Sequence, residues 1–184
     1  MAPVVVVLGP TGAGKSYQAE QLAATHPGWE YISTGELLRK QHDPQINQIL
    51  ESGKLAPSEM VQDLLSKELA DMSSHAGIVF DGFPRMTDES DWLDGVLRHH
   101  HRKVDCVLVI EVSFATSLRR LNHRGRTDDD EDSIRNKWED YHSVVQHVIS
   151  DYDARNLVVR IDGNASKEVV SGRINEALAH VHPH

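Results

Sequence analysis

The chain is poor in the features that mark several large protein classes. It has one cysteine, Cys106, in 184 residues. No internal disulfide and no four-cysteine zinc site can therefore form. Cys106 adjoins the apolar run Val107 to Ile110 and reads as a buried core thiol. No apolar stretch approaches the ~20 residues that cross a bilayer. The first apolar run has no basic residue before it, so no signal peptide is read and the cytoplasm is the expected compartment. Positive charge is short as well: 19 Lys+Arg stand against 28 Asp+Glu, a formal net charge of -9. That balance argues against a nucleic acid or an anionic membrane as a general partner. Internal repeats and low-complexity linkers are absent. The length fits one domain, residues 1–184, with a sizeable core, and a monomer is expected.

What the chain does contain is concentrated in one stretch. GPTGAGKS, Gly9 to Ser16, follows the apolar run Val4 to Leu8 and opens a segment, Ser16 to Ala24, that reads as helix. It matches G-x-x-x-x-G-K-[ST] at Gly9, Gly14, Lys15 and Ser16. A phosphate chain must be wrapped by successive backbone N–H groups, and side chains would block that approach. Glycines at 9, 12 and 14 leave the backbone open. The loop then feeds a helix N-terminus, whose unpaired N–H groups and positive dipole end favour an anion. In such a motif Lys15 reaches the β- and γ-phosphates and Ser16 ligates Mg2+.

The remaining pattern alternates strands with helices. Val4 to Leu8, Trp29 to Ser33, Gly77 to Phe80, Val104 to Val112 and Leu157 to Ile161 read as strands. Helices are predicted at 34–40, 58–70, 88–98, 113–123, 133–152 and 167–180, with a short amphipathic piece at 46–50. Asp43-Pro44 is predicted to interrupt the chain. The 133–152 helix carries Trp138, Tyr141, Val144, Val145 and Val148 at helical spacing. This alternation predicts an α/β fold with a five-stranded parallel sheet. The histidine-rich stretches at 99–101 and 180–184 read as a solvated helix end and a chain tail.

Phosphoryl transfer needs positioning, charge neutralisation and exclusion of water more than it needs a base. Arginine suits this, because its planar fork meets phosphate oxygens bidentately. Arg39, Arg85, Arg120, Arg124 and Arg126 lie on four separate segments. Arg98 and Arg102 match nothing and read as surface charges. Three further stretches narrow the reading: Tyr31-Ile32-Ser33-Thr34-Gly35-Glu36-Leu37-Leu38-Arg39, Phe80-Asp81-Gly82-Phe83-Pro84-Arg85 and Arg124-Gly125-Arg126-Thr127-Asp128-Asp129. With the phosphate loop, and in this order and spacing, they resemble the adenylate kinase family over essentially the whole chain.

The resemblance implies a P-loop NTPase-type fold and a nucleoside monophosphate kinase, with ATP and AMP as substrates and Mg2+ bound with ATP. It implies a monophosphate-binding insertion at 34–62 and a short lid at 122–137. Arg39 and Arg85 would hold the monophosphate, within a site lined by Thr34, Gly35, Lys54, Leu55, Ala56, Gly82 and Phe83. Gly12, Ala13, Gly14, Lys15, Ser16 and Tyr17 would take ATP, with Arg120 and Arg124 holding it and Ala165 offering backbone to its base. Arg126 would bridge from the lid to the transferring group and the AMP. Asp81 would organise Mg2+ through water; a capping aspartate is the plainer alternative.

Four departures from the family stand out. The segment between Arg39 and Gly53 is short, so the flap over the monophosphate is expected to be reduced. The lid lacks cysteines, so it carries no structural zinc. Lys137 stands where the family has a second lid arginine, which keeps the charge but loses the fork. Glu89 stands where the family has an adenine-reading glutamine. An ionised carboxylate would face the lone pair of adenine N1, whereas it matches the two donors of guanine. Thr34 points the other way, since pyrimidine-specific relatives usually carry alanine there. AMP is the expected acceptor. GMP, UMP or CMP, and an ATP-hydrolysing assembly factor, are the alternatives, and retention of Arg39 and Arg85 argues against the last.

Overall fold

Five short runs, most of them rich in valine and isoleucine, pair into one sheet. They are Val4–Leu8 (β1), Trp29–Ser33 (β2), Gly77–Asp81 (β3), Cys106–Glu111 (β4) and Val158–Asp162 (β5). In a computed structural model, which describes residues 2–70, 76–124, 130–179 and 181, all neighbouring strands run parallel in the order β2-β3-β1-β4-β5. β1 is central and sealed on both faces, as a continuous β-branched run demands. Alternation along it divides the core. Val4, Val6 and Leu8 join Phe80, Leu65, Leu93 and Tyr152 on one side, while Val5 and Val7 join Leu22, Leu108, Ile110 and Ile174 on the other. Cys106 lies in the second core, where burial pushes its thiol up to about 12 and leaves it inert.

The helices are Lys15–Thr25 (α1), Thr34–Lys40 (α2), Pro44–Ser52 (α3), Ser58–Ala70 (α4), Thr87–His99 (α5), Phe114–Arg124 (α6), Glu131–Asp140 (α7), Gln146–Ala154 (α8) and Lys167–Leu178 (α9). Two expectations are modified. Asp43-Pro44 starts a helix instead of breaking one: Asp43 Oδ1 accepts from Gln45 N at 2.7 Å and Ile46 N at 3.2 Å, with proline in the first turn. The long helix predicted at 133–152 is one helical run over 131–154, divided into α7 and α8 by a π turn, Tyr141–Val145. Asp81 ends β3, as the strand reading has it.

Register brings the strand ends level. Ser33 of β2 and Val7 of β1 both pair with Asp81. β1 is also where the chain switches from one side of the sheet to the other, which is where parallel α/β sheets open a crevice at their carboxyl ends. No described helix is long and apolar enough to cross a membrane.

Candidate active site

The phosphate loop leaves β1 and enters α1 through Gly14, whose left-handed φ of 91° glycine accepts readily. No side chain caps α1, so its first N–H groups form an anion-binding end. The loop rests directly on α6. A Cβ on Gly12 would lie 2.7 Å from Ser117 Oγ and 2.8 Å from Ser117 O, and Ser117 Oγ donates to Thr11 O at 2.6 Å. Lys15 Nζ donates to Pro10 O at 2.8 Å, so the lysine folds over the loop.

Asp81 is buried, and its Oδ2 accepts from Tyr31 OH and from Ser33 Oγ, both at 3.1 Å. Strand alternation puts Tyr31 and Ser33 on the same face of β2. Ser33 Oγ also accepts from Glu36 N at 3.4 Å as the cap of α2. Burial, then the nearby Asp81 charge, pushes the Tyr31 phenol well above its usual value, so it stays a donor.

One cavity lies above these ends. Lys15, Ser16 and Asp81 line one part of it, Gly35, Arg39, Lys54, Leu55, Ala56, Gly82 and Arg85 another, and Lys137, Asp140 and Tyr141 a third. A smaller pocket shares Leu55, Ala56, Gly82 and Arg85 and adds Thr34, Phe83 and Glu89. Thr34 Oγ1 donates to Gly82 O at 3.3 Å and Arg85 Nε to the same carbonyl at 2.6 Å. That carbonyl holds the arginine fork beside the loop.

Not every expected residue meets this cavity. Arg120 gives its donors to backbone: NH1 to Gly12 O at 3.4 Å and Ala13 O at 3.3 Å, NH2 to Gly163 O at 2.8 Å and Ala165 O at 2.9 Å. It stitches the phosphate loop to the turn before α9. Tyr17 packs its ring under Lys167 Nζ at 4.4 Å. The side chain of Arg124 and all of Arg126 lie outside the described residues.

Glu89 differs most from expectation. It sits at the third position of α5, only 2% exposed. Its Oε2 accepts from Arg85 N at 2.7 Å and Met86 N at 3.3 Å, half of a capping box. Burial raises its carboxyl above the usual range despite these bonds. With that oxygen committed, the carboxylate does not offer two acceptors to a guanine edge.

Among the described residues no group of three or more His, Cys, Asp or Glu could hold a metal ion. Ser16 and Asp81 are hard oxygen donors bordering one cavity, which fits Mg2+ shared with nucleotide phosphates. Sequence reasoning assigned no role to Tyr31, Ser33, Asn136 or Asp140. The period-two spacing of Tyr31 and Ser33 was the available signal for the first pair.

Comparison with known proteins agrees with this geometry. The family model described as adenylate kinase matches residues 7–157. The adenylate kinase of Nocardia farcinica is 36% identical over 95% of this chain and 98% of its own length. That of Mycobacteroides abscessus is likewise 36% identical, over 95% and 98%. The Thermus thermophilus enzyme is 33% identical over 95% of this chain and 96% of its own. A phosphate loop that shares one cavity with Arg39 and Arg85, matched over 95% of the chain by such relatives, places the chain in the adenylate kinase family of phosphotransferases.

Proposed function

We propose that this chain transfers the γ-phosphoryl group of ATP to AMP, giving two ADP. The observation that carries the reading is the shared cavity: Lys15 and Ser16 line it together with Arg39, Arg85 and Lys54–Ala56. A hydrolytic switch needs the first set and not the second. The acceptor is already a phosphate oxygen, so the protein's task is alignment and charge neutralisation. Arg85, held by Gly82 O, and Arg39 orient the acceptor phosphate. Lys15 and the loop N–H groups hold the β- and γ-phosphates of the donor. Lys137 adds positive charge from α7, and Arg124 and Arg126 do so from the lid. Mg2+ bound with the nucleotide neutralises charge on the transferring group; Ser16, and Asp81 through water, would hold it.

The base is read in the smaller pocket, beside Thr34 and Glu89. Adenine presents an acceptor at N1 and a donor at N6, whereas guanine presents two donors. With Oε2 accepting from backbone, Glu89 offers one remaining oxygen, which matches the single N6 donor of adenine better than the two donors of guanine. Residues 34–62 act as the monophosphate flap and 122–137 as the lid. We read the protein as a cytoplasmic monomer; its single thiol, buried in the core, suits a reducing compartment.

A coupled assay for ADP from ATP with AMP, GMP, CMP or UMP, and with ATP alone, tests the reading. AMP is expected to give the highest kcat/KM, and Lys15→Met to lower it ~10²-fold or more with circular dichroism unchanged. ATP consumption that no monophosphate accelerates would replace the kinase with an ATPase. A GMP value above that for AMP would change the acceptor.

A further inference from the structure

The acceptor-side loop is fixed from a helix that does not belong to the flap. α3 ends at Ser52, and Gly53 leaves it in the left-handed region with φ 73°. Lys54, Leu55 and Ala56 follow and line the cavity. The last carbonyls of a helix have no partner inside it. Here α7 supplies one: Asn136 Nδ2 donates to Ser52 O at 2.8 Å. One turn earlier on the same face of α7, Ser133 approaches so closely that a Cβ on Gly53 would lie 2.5 Å from Ser133 O. The two helices thus meet backbone to backbone, with one amide side chain bridging them. The next residue of α7, Lys137, lines the cavity.

We propose that Asn136 is a positioning residue for the acceptor site. It holds the 53–56 loop in a fixed relation to the helix that carries Lys137, so that acceptor binding and the placement of Lys137 are coupled through one hydrogen bond. The inference rests on the phosphotransferase reading above. Nothing in α7 itself calls for asparagine, which is a poor helix former. A hydrogen bond that orders a binding loop is felt chiefly in the affinity for what that loop binds.

Asn136→Ala removes the side chain, and Asn136→Asp keeps its size but cannot donate. Both variants are expected to raise the KM for AMP, and the Kd for AMP measured calorimetrically without ATP, by about 5-fold, the loss of one ordinary hydrogen bond. The KM for ATP is expected to stay within about two-fold, and amides at 53–56 to exchange faster. Unchanged AMP affinity in both variants would overturn the proposal. So would a loss in Asn136→Ala that Asn136→Asp does not share, since packing would then be the cause. Equal weakening of both substrates with a lowered melting temperature would reduce Asn136 to a general structural role. Failure of the underlying reading shows separately, as a wild-type protein that neither binds AMP nor phosphorylates it.

Discussion

Glu89 and Asp81 are both nearly sealed from solvent, at 2% and 4% exposure, yet they answer to different partners. Asp81 takes two hydroxyl donors from β2 and borders the cavity. Glu89 takes two backbone N–H groups and anchors the chain just where Arg85 leaves it. Burial holds its folded-state pKa above the ordinary glutamate value. Below that value both folded and unfolded chains carry the proton, and its contribution to stability is intact. As pH rises through it the unfolded chain ionises freely while the fold resists, and stability is lost up to the folded-state pKa. Gln in this place accepts the same two bonds without a charge. Glu89→Gln is therefore expected to raise the denaturation midpoint at about pH 7.5, with the gain vanishing near about pH 4. Urea titrations at both values check this; a gain independent of pH would show that the charge is irrelevant. Asp81 was legible because a motif surrounds it. The capping role of Glu89 was not, because the residue that starts its helix is Met86, which is no cap former.

α7 begins with Asp130, whose side chain accepts from Ser133 N at 3.0 Å. The helix then presents Asn136 to the end of α3 and Lys137 and Asp140 to the cavity, so its first turn sets the angle of all three. Asp130→Ala is expected to cost about 1 kcal/mol, or ~2–4 °C in Tm for a domain of this length. Asp130→Ser is expected to recover most of the loss, and thermal melts followed by circular dichroism compare the two. The apolar spacing of Tyr141, Val145 and Val148 announced a helix here, and those residues are buried. The same spacing could not announce the π turn at 141–145. The backbone stays helical through the turn, which shows only in the backbone bonding. Tyr141 of that turn lines the cavity. By contrast, α3 was undervalued because proline was read as a stop, when a preceding aspartate makes it a start.

At the scale of the molecule, the class of fold was legible from strand and helix alternation, and parallel pairing from runs such as Val4–Leu8 that are apolar at every position. The order β2-β3-β1-β4-β5 was not, because no local pattern records which strand lies beside which. The site lies where that order puts it, between parts held by few elements. On the proposed reading, a ligand joining two adenosines through five phosphates would span donor and acceptor sites at once. It is expected to slow amide exchange at 53–56 and 131–137 while leaving β1 unchanged, since β1 is protected already. Absence of any slowing at saturation would count against closure of these segments over substrate. The central place of β1 reaches further, into how the chain is made. Its ladders are to β3 and β4, and Asp105, which accepts the Val4 N–H at 2.8 Å, comes 101 residues later. On the ribosome, four consecutive valines therefore emerge long before either neighbour exists. Until Cys106–Glu111 has been translated, that strand has an unmated edge and β-branched side chains with nothing to bury them. It is the segment of the nascent chain on which a holding chaperone would act, and a messenger that stalls before codon 106 would release a product prone to aggregate.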